Sequence, residues 1–156
     1  MSPSVRVDGL FETHLTVSDL DRSIAFYRDV VGLPLGLELP ERRAAFFWIG
    51  EPGRAMLGLW DVGSAPIGLS LHIAFATSLA SVLGANDRLR RLGVTPLSFH
   101  GIETNEPSVI GWMPAAAVYF RDPDGHLLEL LAMLDEAPDP NRQIFSWSDW
   151  SRCVPR

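Results

Sequence analysis

Ala117-Val118-Tyr119-Phe120-Arg121-Asp122-Pro123-Asp124-Gly125-His126-Leu127-Leu128-Glu129-Leu130-Leu131 decides how this chain is read. Two apolar runs rich in strand-forming residues flank Asp122-Pro123-Asp124-Gly125. Proline presets φ for a turn and glycine accepts positive φ, so the stretch predicts a β-hairpin. Glu129 alone interrupts the second run, between Leu128 and Leu130. A carboxylate there is costly to bury unless it is paired or bound to a metal, so the rest of the chain must supply what meets it.

Upstream, Phe11-Glu12-Thr13-His14-Leu15-Thr16-Val17 has period-2 character and predicts a strand. Ser18 is the expected N-cap of a helix whose apolar stripe is Leu20, Ile24, Tyr27 and Val31, closed by Gly32. Three short strands follow, at 35–39, 44–49 and 54–60. The pattern then begins again, with a strand at 69–76 carrying His72, a helical stripe of Val82, Ala85, Leu89 and Leu92, and a closing Gly93. His14 and His72 fall at matching places in the two copies, 58 residues apart. Two copies are too few for a solenoid, and a βαβββ module used twice is the expected α+β architecture.

The organisation this gives is an N-terminal extension at 1–9, modules at 10–63 and 64–134, and an aromatic tail at 135–156. The stretch 98–116 departs from the repeat, contains glycine and proline, and reads as a functional lid or a mobile loop. Ile144, Phe145, Trp147 and Trp150 make a tail that is expected to pack on its own domain or on a partner subunit.

The 156 residues are 47% hydrophobic and 21% charged, as a globular domain is. A net charge of −6 argues against nucleic acid or an anionic membrane as the main partner. Every basic residue is arginine, which removes lysine Schiff-base and P-loop chemistry. Cys153 is the single cysteine, so no internal disulfide forms, and with no signal-peptide pattern at the start a cytoplasmic location is expected.

Strand alternation fixes which side chains can meet. His14 and Thr16 share one face of the first strand, His72 shares its face with Ala74 and Ala76, and Glu129 lies on the face of Leu127 and Leu131. If the paired modules form one curved sheet, the faces away from the helices bring His14, His72 and Glu129 together. A lone strand histidine is usually an ordinary core or surface residue, but two at repeat-related positions plus a carboxylate make a facial set with open coordination positions. Such a set suits one divalent ion, Mn, Fe, Ni, Co or Zn. His126 is on the opposite face from Glu129 and reads as structural or exposed, and His100 is uninformative.

These residues give the chain a resemblance to the vicinal oxygen chelate superfamily, which includes glyoxalases, fosfomycin-resistance thiol transferases, bleomycin-resistance binding proteins and ring-cleaving dioxygenases. It is carried by His14-Leu15-Thr16-Val17, Asp19-Leu20, Ser23-Ile24-Ala25-Phe26-Tyr27, Gly32-Leu33, His72 and the run from Phe120 to Glu129. The resemblance implies a U-shaped, barrel-like mixed sheet with helices outside, and a homodimer whose cleft is built within one chain or across two. It also implies a metal held by His14, His72 and Glu129, and it places Thr16 and Tyr119 near the substrate. Gly58 stands where glyoxalase I has a fourth ligand, a glutamate, and the phosphonate-binding lysine and serines of fosfomycin transferases have no counterpart between Thr95 and Phe120.

The function expected from the resemblance is that of a metal-dependent small-molecule enzyme of the glyoxalase or fosfomycin-resistance type, the latter with a thiol co-substrate. In it Glu129 serves both as ligand and as catalytic carboxylate, and Thr16, Trp112 and Tyr119 shape the pocket. The alternatives are a metal-free drug- or metabolite-binding protein of the bleomycin-resistance type and an Fe(II) ring-cleaving dioxygenase.

Overall fold

Alternating residues build the strands, and helical stripes cover them, in an order that occurs twice. The computed structural model describes residues 9–61 and 70–153. The chain divides into two units, Met1–Gly68 and Leu69–Arg156. The expected module boundary at 63/64, residues 1–8 of the extension and Leu69 of the fifth strand lie outside the described residues.

The first unit contains β1 (Glu12–Val17), α1 (Leu20–Phe26), β2 (Leu35–Leu39), β3 (Ala44–Trp48) and β4 (Met56–Asp61). Its sheet runs β1-β4-β3-β2, with β1 parallel to β4 and the other pairs antiparallel. The cap of α1 is Asp19 rather than Ser18, because its carboxylate accepts the Arg22 N–H at 3.0 Å. Ser18 instead accepts a hydrogen bond from the Arg22 guanidinium at 2.9 Å. The helix widens into a π turn at Tyr27–Val31, where Tyr27 O receives both Gly32 N–H and Leu33 N–H, and Gly32 leaves it at φ 85°. Leu15, Val17, Tyr27, Phe47, Leu57 and Leu59 are fully buried.

The second unit contains β5 (His72–Ala76), α2 (Leu79–Leu83), α3 (Ala85–Arg91), β6 (Ser108–Ile110), β7 (Ala115–Arg121), β8 (Leu127–Met133), β9 (Ile144–Ser146) and α4 (Trp147–Cys153). Its sheet order is β5-β8-β7-β6-β9, with β5 parallel to β8. Each unit is thus a mixed sheet with helices, and the fold class is the expected α+β. The predicted second helix is split at Gly84, and Leu92 is exposed rather than part of the buried stripe of Val82, Ala85 and Leu89.

The 98–116 stretch is no structureless lid. It holds β6, whose three residues are buried, and Leu97 bridges both Glu103 and Tyr119. The tail packs on its own unit: β9 adds to the sheet beside β6, and Trp150 is 4% exposed under the Arg142 guanidinium. In the β7–β8 hairpin, Asp122 accepts the N–H groups of Asp124 and His126, and Gly125 sits at φ 89°. His126 is fully buried and accepts the Leu71 N–H through Nδ1 at 3.1 Å, so its role is structural. No helix among the described residues is long and apolar enough to cross a membrane.

Candidate metal centre

Glu129 is the third residue of β8, paired with Tyr119 on β7 and Ala74 on β5. It is 4% exposed. Its Oε2 lies 3.1 Å from His72 Nε2, and its Oε1 is buried with no hydrogen-bond partner. Behind the imidazole, His72 Nδ1 is 3.1 Å from the Leu127 carbonyl oxygen. A carbonyl only accepts, so Nδ1 carries a proton and donates it. In the neutral ring Nε2 then aims a lone pair at a carboxylate oxygen. Two acceptors face each other there unless a proton or a metal cation lies between them.

That geometry fits a divalent cation. Metal-ligating histidines commonly donate their second N–H to a backbone carbonyl, which fixes the tautomer. The unpartnered Glu129 Oε1 is the buried polar atom that such an ion would satisfy. One imidazole nitrogen plus carboxylate oxygen suits Zn or a first-row transition metal. The Tyr119 ring stacks 6.2 Å from that of His72. Burial, then the negative charge of Glu129 and the phenol's hydrogen bond toward that carboxylate, push Tyr119 well above its usual range, so it remains an O–H donor at neutral pH.

The first unit carries a second imidazole–carboxylate pair, wired differently. The Trp60 indole N–H donates to His14 Nδ1 at 3.0 Å, and His14 Nε2 lies 2.9 Å from Glu12 Oε1. An indole only donates, so His14 Nδ1 is unprotonated and the ring's proton is on Nε2, donated to Glu12. In this state His14 presents no Nε2 lone pair to a metal. Gly58 is its partner across the β1–β4 ladder, and a Cβ there would stand 2.8 Å from His14 Cδ2 and 3.1 Å from Nε2. The imidazole fills the space that a side chain at position 58 would need.

Strand register corrects the pairing of the two histidines. β5 opens with His72 opposite Leu127 and places Ala74 opposite Glu129. β1 opens with Glu12 opposite Met56 and places His14 opposite Gly58. The residue equivalent to His72 is therefore Glu12, and His14 corresponds to Ala74. The slip is two residues, which keeps the same face, so alternation alone does not reveal it. A count from the serine beyond each strand does: Ser78 stands six residues after His72, and Ser18 six after Glu12.

Of the expected pocket residues, Tyr119 adjoins the His72–Glu129 pair. Thr16 lies on β1 opposite Trp60, on the face of Glu12 and His14. Trp112 is half-exposed in the turn before β7, beyond the Ala115–Met133 end of the ladder. Tyr119 is four residues further along β7, about 13 Å at strand rise. His100 is exposed beside Phe99. Among the described residues no group of three or more His, Cys, Asp or Glu side chains is assembled that could hold a metal ion; each unit presents a pair.

Two βαβββ units, each bearing an imidazole–carboxylate pair on its parallel strand pair, repeat the plan of the superfamily that the sequence already resembled. Residues 9–130 match the model of the glyoxalase/bleomycin resistance protein/dioxygenase superfamily, and the chain belongs to that family. It is similar to lactoylglutathione lyase of Salmonella typhimurium, 33% identical over 144 residues that cover 86% of this chain and 97% of that protein. Metallothiol transferase FosB of Shouchella clausii is 32% identical over 127 residues, 80% of each chain. Among solved structures, the fosfomycin resistance protein FosX of Listeria monocytogenes, complexed with Mn(II) and sulfate, aligns with a TM-score of 0.60 at 26% identity. That alignment covers 84% of this chain and 94% of the other.

Proposed function

We propose that this chain is a divalent-metal-dependent enzyme of the glyoxalase or fosfomycin-resistance type, acting on a small molecule through two adjacent substrate oxygens. His72 and Glu129 hold the ion. The observation that carries the reading is the buried, unpartnered Oε1 of Glu129 beside an imidazole committed from behind to the Leu127 carbonyl. When bound, the metal supplies Lewis acidity that stabilises negative charge on the substrate oxygens. Tyr119, kept protonated by burial and by Glu129, donates a hydrogen bond to a substrate oxygen. Glu129 orients the ion and is the carboxylate nearest the reacting atoms, while Trp112 contacts another part of the substrate. A thiol co-substrate belongs to the proposal, because two relatives are named for lactoylglutathione and for a metallothiol transferase. So do a homodimer and a cytoplasmic setting.

A metal-free binding role is the weaker reading, since nothing in such a role offsets a buried carboxylate with one orphaned oxygen. Metal analysis of protein purified without chelators tests the proposal. About one transition-metal ion per chain is expected, and His72→Ala should lose it. A metal-free preparation that also fails to take up Mn2+ or Zn2+ rejects the enzyme.

A further inference from the structure

We infer that Phe99 is a specificity-determining residue, and that the substrate carries an uncharged aryl group beside its two metal-binding oxygens. The inference rests on the metal-dependent reading above and adds to it the class of substrate. It uses residues of the second unit alone.

The site continues past the His72–Glu129 pair as a row of rings. His72 stacks on Tyr119 with 6.2 Å between centroids, and Phe99 meets Tyr119 edge-on at 6.0 Å and 81°. Tyr119 is 5% exposed, but Phe99 is 44% exposed. The row therefore runs from an imidazole facing a buried carboxylate to a phenyl ring left nearly half in water. A single exposed apolar side chain is ordinary on a protein surface. This one extends the row of the site and is held in place.

Backbone bonds do the holding. Leu97 and Tyr119 exchange N–H···O bonds of 2.6 and 3.0 Å, and the Phe99 N–H donates to the buried Ser108 Oγ at 2.9 Å. The Gly101 N–H donates to the Ser98 carbonyl at 2.9 Å, and Gly101 takes φ 74°, so the chain turns back just after Phe99 and His100. A segment fixed in this way has little ordering left to lose when a ligand arrives.

Charge decides what lies on the ring. No arginine or lysine occurs between Thr95 and Phe120. The turn's own charged neighbour is Glu103, 3.4 Å from an Arg90 guanidinium that also donates to the Thr104 carbonyl at 2.7 Å. Arg121 donates to the Gly125 carbonyl at 2.7 Å. An anionic substituent finds no cation in this segment and would meet the field of Glu129. An aryl group instead takes the Phe99 ring out of water and makes edge-to-face or offset contact with it. His100, edge-on to Phe99 at 5.4 Å, adds a second flat surface.

The test measures binding of three hydroxamates, each a bidentate ligand with adjacent oxygens, to the full-length Zn2+-loaded protein at about pH 8, where an ordinary imidazole is neutral. Benzohydroxamate carries an aryl group, acetohydroxamate a methyl group and the monohydroxamate of succinate a carboxylate. Benzohydroxamate should bind at least about 10-fold more tightly than acetohydroxamate. The succinate derivative should bind no more tightly than acetohydroxamate. Phe99→Ala should remove the aryl preference while changing acetohydroxamate and Zn2+ affinity by less than about 2-fold. Phe99→Tyr should keep the preference, and so should Ile102→Ala, which alters another exposed side chain of the same turn. NOEs from the phenyl protons of benzohydroxamate should reach the Phe99 ring. If Zn2+ binds but the aryl preference is absent, survives Phe99→Ala or falls equally in Ile102→Ala, the inference is overturned and the metal reading stands. The same holds if the succinate derivative binds most tightly, or if Phe99→Ala changes only the oligomeric state in sedimentation, which would make Phe99 a subunit contact. If Zn2+ is not taken up at all, the metal reading fails and takes the inference with it.

Discussion

In the second unit an imidazole opens the outer strand and a carboxylate answers it from the neighbouring strand; in the first unit a carboxylate opens the strand and the answering position is Gly58. The backbone plan is the same and the electrostatics differ. Glu129 is 4% exposed, with one oxygen unpartnered, whereas the Glu12 side chain is 34% exposed and receives the His14 N–H. A buried carboxylate loses most of its hydration and needs a cation or several donors in exchange, while a partly hydrated one does not. The second unit's carboxylate is therefore the one left short of a partner, and the first unit's is already served by water and by His14. Duplicated modules of this kind divide their labour through side chains at fixed rungs of the ladder.

The sharpest way to break this contrast is to remove the two carboxylates in chelated, metal-free protein at about pH 8, where an ordinary imidazole is neutral. Glu129→Leu relieves a buried charge and should raise stability by about 1–3 kcal/mol. At roughly 2–4 °C per kcal/mol, thermal unfolding should move upward by about 2–12 °C. The same substitution should abolish the stabilisation by added metal, about 2.7 kcal/mol at 100 times Kd. Glu12→Leu should change metal-free stability by no more than about 0.5 kcal/mol, since water reaches both partners. A Glu129→Leu protein that is less stable than its parent without metal would mean that the carboxylate is already satisfied, and the two halves would no longer differ.

Gly58 gives the next effect. Gly58→Ala places a Cβ 2.8 Å from His14 Cδ2, so the ring must swing and give up its bonds to Trp60 and Glu12. The expected cost is about 1–3 kcal/mol in denaturant unfolding. Removing the ring in His14→Ala/Gly58→Ala should recover most of it, a coupling of at least about 1 kcal/mol in the double-mutant cycle. Additive costs would show that the ring and the glycine are unrelated.

Much of the architecture was legible in the chain because it is written locally. The Asp122-Pro123-Asp124-Gly125 turn, the alternation of β1 and β5 and the closing glycines at 32 and 93 each act within a few residues, and the structure has an element boundary at every one. Asp19 against Ser18 and the split at Gly84 were missed because adjacent residues compete for one cap, and because a glycine in a helical pattern leaves the periodicity unchanged. β9 was missed because three residues are too few for alternation to declare itself, although the apolar tail announced that it would pack. The site was harder. His72 and Glu129 share a face that periodicity reveals, and the structure brings them to 3.1 Å. That Glu12 rather than His14 matches His72 escaped alternation, because the two are two residues apart on one face; inter-strand register separates them, as does a count back from Ser18 and Ser78. Trp60 escaped for a related reason: its indole reaches His14 through a parallel pairing between segments 46 residues apart, which no local pattern encodes.

Trp60→Phe has the smallest expected energy and addresses the contrast at its origin, the tautomer. Phenylalanine keeps an aromatic ring between His14 and Phe46, both about 6 Å away centroid to centroid, but removes the indole N–H. Loss of one hydrogen bond to a ring that water can reach should cost about 0.5–1.5 kcal/mol. Without the indole donor, His14 Nδ1 is free to take the proton and Nε2 to lose it, so the first unit's imidazole becomes able to adopt the wiring of His72. NMR of the metal-free variant should show a growing Nδ1–H population for His14, with His72 unchanged because the Leu127 carbonyl still holds it. If His14 stays wholly Nε2-protonated in Trp60→Phe, the Glu12 carboxylate alone fixes the tautomer, and Trp60 contributes packing only.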